Sequence, residues 1–227
     1  MILFEEGEIV IIITFDSGNI KTGNMCQIWI LNKDVDPVTA LKNGESEKIC
    51  FDCPHLENGT CYVNTGQAPL SVYRAYKRGI YAPLNMNELK AKLQNRCVRF
   101  GAYGEPVLIP FSLVEFIAKH AKKITGYTHQ WDKLEYLEYN KYFMASADTI
   151  NDVVMANSIG WRTYRVKGES DQNLKNEIDC PYEKMGILCI DCGLCNGFSK
   201  GKNIAVNVHG IPPKINKFNL LNIGAKQ

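Results

Sequence analysis

Seven of the chain's nine cysteines fall in two tight groups. The C-terminal group reads Cys180-x8-Cys189-x2-Cys192-x2-Cys195. Two successive two-residue gaps bring three thiolates round one centre, and Cys180, followed by Pro181, supplies a fourth. Four thiolates suit a tetrahedral Zn²⁺ or a [4Fe–4S] cluster. Structural zinc mostly uses two separated Cys-x2-Cys knuckles, so three consecutive cysteines at this spacing favour iron–sulfur ligation. Gly193 and Gly197 let the loop bend and turn backbone N–H groups towards sulfide. The N-terminal group, Cys50-x2-Cys53-x7-Cys61, offers three ligands and no evident fourth unless His55, Cys26 or Cys97 joins it. Three ligands leave one metal position open, as a chemically active centre needs. The plainer reading is a zinc knuckle that staples a long loop. Cys26 and Cys97 sit in apolar runs and read as small buried hydrophobes.

The cysteine count is odd, and Glu5, Glu6 and Glu8 stand where a secretory signal would be basic. Both features point to a reducing cytoplasm, where thiols bind metal more often than they bridge. The composition is that of a globular protein: 45% apolar and 22% charged over 227 residues, which excludes disorder and collagen-like structure. A net charge of +2 gives no electrostatic case for nucleic acid. The longest apolar run, Ile9 to Ile13, has the length of a strand and falls far short of the roughly 18 residues a membrane span needs.

These side chains must be held by elements, and the pattern predicts which. Glu8 to Thr14 is an N-terminal β segment, and Met25 to Leu31 is a second strand. Residues 32–66 read as a long functional loop with the first cysteine group inside it. Helical composition marks Pro69 to Arg78 and Asn87 to Gln94. From Cys97 the order becomes regular. Strands are expected at Cys97 to Phe100, Ile124 to His129, Tyr142 to Ala147, Trp161 to Val166 and Ile204 to Val208. Helices are expected at Phe111 to Lys122 and Thr149 to Ser158, with Asp148 or Thr149 as N-cap and one or two helical turns at Trp131 to Tyr139. No internal repeat stands out. Alternating strands and helices of this size mean βαβ units. The fold class is therefore α/β, a partial (β/α) barrel of about six strands, with a doubly wound open sheet as the rival. The chain reads as a single domain, 1–227, with a cysteine-rich region at 21–66 and a barrel-like core at 97–210 that includes a cluster loop at 180–197.

In such barrels chemistry lies at the C-terminal ends of strands. There the sequence places Glu105, His129, Asp148 and His209, the last three as candidate catalytic residues. Each also has a plainer use: Asp148 as a helix cap, the histidines as satisfied structural groups. Arg162 and Arg165 have opposite strand parity, so at most one faces the interior. The charge of Arg162 also fits an ordinary surface salt bridge.

Two resemblances follow from these residues. Cys53-Pro54 and Cys61-Tyr62 after a candidate strand, then Gly104-Glu105-Pro106 after the next, resemble the order of motifs in radical S-adenosylmethionine enzymes. Those place an aromatic residue beside the last cysteine of a cluster loop. A Gly-Gly-Glu-Pro-like motif then contacts the cofactor's amino group in a partial barrel, often with an auxiliary cluster. The resemblance implies that Tyr62, Gly104, Glu105 and Pro106 bind S-adenosylmethionine and that up to two [4Fe–4S] clusters are present. The cysteine gaps here, x2 and x7, differ from that family's x3 and x2. Over residues 21–210 the chain is also similar to an uncharacterised cysteine-rich bacteriophage family, that of the gene-product-88-like domain. The shared stretches are Lys21-Thr22-Gly23, Cys53-Pro54, Cys61-Tyr62, Arg99-Phe100-Gly101, Gly126 to Trp131, Met144-Ala145-Ser146, Gly160-Trp161-Arg162 and Cys189 to Gly197. This implies a viral origin and a place in the host cytoplasm, and no activity. The expectation is a redox or radical iron–sulfur enzyme. The rival is a zinc-stabilised binding module that acts on a host protein or nucleic acid without catalysis.

Overall fold

The structure, a computed structural model, describes residues 1–168, 170–197 and 201–224. Among these residues it is a mixed α/β fold with ten strands in two five-stranded sheets. The first sheet runs in the order β1 (Ile2–Glu6), β2 (Ile9–Thr14), β3 (Cys26–Asn32), β4 (Cys97–Tyr103), β5 (Lys123–Thr125). Its β1–β2 and β2–β3 pairs are antiparallel, and β3–β4 and β4–β5 are parallel. The second sheet is wholly parallel: β6 (Tyr127–Thr128), β7 (Met144–Ala147), β8 (Thr163–Lys167), then β10 (Asn203–Asn207) and, at its edge, β9 (Glu177–Asp179).

Gly126 alone separates β5 from β6. Its carbonyl accepts from Met144 N–H at 3.0 Å and its own N–H donates to Cys195 O at 3.1 Å. A Cβ there would stand 2.6 Å from the Phe143 ring and 3.2 Å from Phe100 Cβ, so only glycine lets the chain pass between these two buried phenylalanines. The expected strand Ile124 to His129 is thus two short strands in different sheets. The expected strand Cys97 to Phe100 continues through Gly101 to Tyr103. Its register against β3 slips between Gln27↔Arg99 and Trp29↔Tyr103, a bulge that re-aims the strand's end.

The helices follow local signals. They are α1 (Pro37–Asn43), α2 (Glu47–Cys50), α3 (Pro54–Glu57), α4 (Ala68–Lys77), α5 (Met86–Leu93), α6 (Phe111–His120), α7 (Ile150–Ser158), α8 (Pro181–Met185), α9 (Cys189–Cys192) and α10 (Pro212–Gly224). Asp36 caps α1 by accepting from Val38 and Thr39 N–H, with Pro37 preset at the first position. Residues 32–66 therefore form three short helices, α1 to α3, where a structureless loop was expected. At α7 the cap is Thr149, and Asp152 completes a capping box. Asp148 is left free of that duty. The turns after Trp131 wind as a 3-10 helix over Leu134–Lys141.

The main core packs β2 and β3 against β4, α5, α6 and the 3-10 helix, with Phe100, Phe143 and Trp161 almost fully buried. All seven residues of β3 are buried, as befits a strand covered on both faces. A smaller cluster, Met144, Ile204 and Val206, packs around Cys180 and Cys195. No helix among the described residues is long and apolar enough to cross a membrane.

Candidate functional site

The C-terminal ends of the parallel strands open into a cavity of about 370 Å³. Cys50, Cys53, Cys61, Tyr62, Gly104, Glu105, His129 and His209 all line it. The short helices explain how the cysteines arrive there. Cys50 ends α2, Cys53 precedes Pro54 at the start of α3, and Cys61 follows the turn after α3. Lys214 of α10 donates to the Cys61 carbonyl and ties that turn down. Burial first, then the neighbouring thiols of Cys53 and Cys61, push the Cys50 thiol far above its ordinary pKa. Burial likewise raises Cys61. Thiols held this close disfavour joint ionisation unless a cation compensates.

Glu105 is buried, with its carboxylate fixed by the next strand: Thr128 Oγ1 donates at 2.7 Å and His129 N–H at 3.1 Å. Of the expected Gly104-Glu105-Pro106 unit, Glu105 alone turns a side chain to the cavity. Gly104 contributes backbone, and Pro106 packs beneath Gly101, outside the lining. His129 Nδ1 stands 3.4 Å from Glu105 Oε1 and 3.6 Å from Cys53 Sγ. Its Nε2 stands 3.5 Å from Asp148 Oδ2. Burial works against a charge on His129, but Asp148, Cys53 and Glu105 outweigh it and hold its pKa well above the ordinary value. Burial would raise Asp148, but His129 and His55 hold its carboxyl far below the ordinary range. His209 is separate from this pair. Its ring lies against Tyr62, with centroids 5.1 Å apart, and burial lowers its pKa.

The sequence gives little warning of three further lining residues. Arg99 donates to Tyr62 Oη at 2.6 Å, and Tyr127 and Tyr164 pack ring against ring at 4.1 Å. They alternate with core positions on β4, β6 and β8, and that parity is the one signal available. Neither Arg165 on β8 nor Arg162 just before it lines the cavity; Tyr164 and Val166 do. Arg165 forms a buried ion pair with Glu177 at 2.7 Å.

Of the second cysteine group, Cys180 follows the C-terminal end of β9, and Cys189, Cys192 and Cys195 lie at the other end of the strands. Residues 188–197 cross the N-terminal ends. Cys189 and Ile190 N–H donate to Lys21 and Thr22 carbonyls at 3.1 Å each, ahead of β3. Lys123, at the start of β5, donates to Asp191 O. Arg162, just before β8, donates to the carbonyls of Leu194 (3.0 Å), Asn196 (2.6 Å) and Lys202 (2.6 Å). It is a clamp on the cysteine loop and, among the described residues, makes no surface salt bridge. Gly193 closes α9 in the left-handed conformation. A Cβ on Gly197 would fall 2.0 Å from Asn140 O, so the loop lies directly on backbone there. Cys189 also lines the cavity, whereas Cys180 and Cys195 are buried behind Tyr127 and Tyr164. Burial, with the charges of Cys180, Cys189 and Cys192, pushes Cys195 up to about 12.

Cys26 and Cys97 are buried thiols; Cys26 donates to Phe15 O, and Cys97 to Ile190 O within the second cysteine loop. His55 lines the cavity but faces Asp148, 3.0 Å away. Among the described residues no three cysteines bring their sulfurs within 4.8 Å of one another; His55, His129 and Asp148 are the group that converges so closely. Sulfurs round one tetrahedral zinc stand roughly 3.8 Å apart, given Zn–S of about 2.3 Å. A cubane gives each thiolate its own iron and spreads them wider. An Asp-Cys-Pro triplet occurs twice, at 52–54 and 179–181, and sets Cys53 and Cys180 at helix starts in nearly the same backbone conformation. It is a short internal repeat that the apolar pattern does not reveal. Comparison with protein-family models, curated proteins and solved structures gives no match.

Proposed function

We propose that the chain is an iron–sulfur protein that acts as a redox or radical enzyme of the S-adenosylmethionine-dependent kind. In this reading Cys50, Cys53 and Cys61 hold a cluster with one open iron. Cys180, Cys189, Cys192 and Cys195 hold a closed auxiliary cluster. The strands β3, β4, β5 with β6, β7, β8 and β10 follow one another in parallel, which supports an open partial (β/α) barrel of six strands. One observation carries the reading: three cysteines, Glu105 and His129 share one cavity at the C-terminal ends of parallel strands.

Bound there, a cluster would supply electrons one at a time. The chain's own residues do the rest. Glu105, immobilised by Thr128 and His129, presents a carboxylate to the ammonium of an amino acid group. Arg99 in the same cavity presents a guanidinium to its carboxylate. Together they match the zwitterionic end of S-adenosylmethionine. Tyr127 and Tyr164 supply flat apolar walls, and α10 shields the cysteine turn from water.

Anaerobic purification followed by iron, sulfide and zinc analysis tests the reading. The expected protein is brown, with iron and sulfide. Saturating S-adenosylmethionine should then stabilise it by about 2.7 kcal/mol at a hundredfold excess over Kd. Glu105→Ala should weaken that effect and leave iron content unchanged, and Cys53→Ala should remove both. A colourless protein with stoichiometric zinc would overturn the proposal in favour of a metal-stapled binding module.

A further inference from the structure

Three side chains meet beside the cysteines without using sulfur. His55 comes from α3, His129 follows β6, and Asp148 follows β7. His55 Nε2 is 3.0 Å from Asp148 Oδ1, and His129 Nε2 is 3.5 Å from Asp148 Oδ2. One ligand atom from each lies within 4.8 Å of the other two. Yet these close approaches are not aligned hydrogen bonds. His129 Nε2 and Asp148 Oδ1 are both buried and neither has a hydrogen-bond partner. Two buried polar atoms left unsatisfied are costly unless something else binds them.

The opposite edges of both imidazoles are occupied. His55 Nδ1 is 2.8 Å from Thr60 Oγ1, and His129 Nδ1 faces the Glu105 carboxylate at 3.4 Å. Such outer partners fix the tautomer and aim Nε2 inward, as they do around metal-bound histidines. Asp148 is kept available too. Its backbone N–H and that of Thr149 are taken up by Asp152, while Thr149 caps the helix. Phe218 of α10, itself buried, stacks on His55 with centroids 6.0 Å apart and closes the outer side.

We propose that His55 Nε2, His129 Nε2 and the Asp148 carboxylate bind one divalent first-row transition metal ion. Two imidazoles and a carboxylate suit zinc or ferrous iron. Three protein ligands leave coordination positions for a small molecule. His55 and His129 line the cavity, so a molecule held there can reach the ion. The site is independent of the cysteine reading, because it needs no thiolate.

Cobalt(II) distinguishes the two. Full-length protein, purified anaerobically and cleared of loosely held ions with a chelator, is titrated with Co²⁺. The expected result is one equivalent bound with visible d–d bands and no near-ultraviolet sulfur-to-cobalt charge transfer. Asp148→Asn and His55→Gln should each weaken that binding at least tenfold and leave sulfide content unchanged. Thr60→Val, which removes only an orienting hydroxyl, should weaken it roughly tenfold. Should a variant lose its fold, judged by circular dichroism, the remaining two decide. No Co²⁺ bound by the folded protein, binding unaffected by all three changes, or binding that always carries the sulfur band would each overturn the site.

Discussion

The two Asp-Cys-Pro triplets are the same local structure in different surroundings. Cys53 has φ −59° and ψ 120°, Cys180 has φ −54° and ψ 124°, and each is followed by a proline that opens a one-turn helix. Each aspartate is held by lysine, Asp52 by Lys133 at 3.1 Å and Asp179 by Lys167 at 2.8 Å. Beyond that they diverge. Cys53 stands half-buried at the mouth of the cavity with His129 beside it. Cys180 is buried against Met144, Ile204 and Val206, and its N–H bonds Ala205 O in the middle of β10. The triplet sets the sulfur at a helix start in both places. What surrounds it decides whether the thiol is reachable or sealed. A sealed metal group contributes chiefly to folding, and an open one to chemistry.

Removing one thiol from each group gives the largest expected contrast. Cys195→Ala takes away a buried thiol, a ligand in the proposed reading, from a loop that touches β5, the residues ahead of β3 and those ahead of β8. Metal loss there should cost about 4 kcal/mol or more and abolish cooperative unfolding near the wild-type midpoint. Cys53→Ala should lose metal from its own group and cost only about 1 kcal/mol, because its segment is short and partly exposed. Denaturant midpoints of both variants, read beside metal content, check this. Equal losses in the two would remove the distinction between a sealed and an open group.

Arg162 sharpens the same contrast without touching a cysteine. Its guanidinium holds three carbonyls, Leu194, Asn196 and Lys202, whereas the turn of the first group is tied by Lys214 at the single carbonyl of Cys61. Arg162→Gln keeps some polarity but cannot reach all three. A charged hydrogen bond contributes about 1.5–3 kcal/mol, so the loss should be roughly 3 kcal/mol. Hydrogen exchange should rise at the Cys189 and Ile190 amides, which bond Lys21 and Thr22 carbonyls. It should stay unchanged at the Glu105 amide, which bonds Ile49 O near the first group. Exchange that rose equally at both would show that the clamp is not local.

The sequence foretold some of this and hid the rest for physical reasons. Strands β2, β3, β7, β8 and β10 were legible because burial on one or both faces leaves apolar or alternating runs. So was the start of α7, with Asp148 or Thr149 as its cap. The one-residue choice between Asp148 and Thr149 was not legible, yet it decides whether Asp148 caps a helix or meets two histidines. Helices α2 and α3 span four residues each, too few for a period to show. Strand β9 is three residues with two carboxylates, Glu177 and Asp179, and owes its existence to β10 and to the Arg165 and Lys167 side chains. Placement of polar residues at strand ends was legible as a set. The pairing of His55 with Asp148, and of Arg162 with distant carbonyls, joins segments that no local pattern links.

The smallest expected difference between the two triplets is in their acid response. Lys167, then Asn173 and Lys184, draw the Asp179 pKa down to about 2, against partial burial that opposes it. Gln130 and Lys133 lower Asp52 in the same direction. A carboxyl depressed in the folded state contributes stability that is fully present above its unfolded value, about 3.9. That contribution disappears as pH falls through the folded value. The window is therefore roughly pH 5 to pH 2. A fully realised shift of this size is worth about 2.6 kcal/mol. The Lys184 side chain is 65% exposed and solvent screens it, so about 1 kcal/mol is expected from Asp179. Asp52, 61% exposed beside a lysine that is itself 37% exposed, should contribute much less. Urea unfolding of wild type, Asp179→Asn and Asp52→Asn at pH 5 and pH 2.5 measures both. Asp179→Asn should flatten the acid loss by most of that kilocalorie, and Asp52→Asn should leave the slope near wild type. A flatter slope in Asp52→Asn than in Asp179→Asn would mean that the first triplet, not the second, is the one locked into the fold.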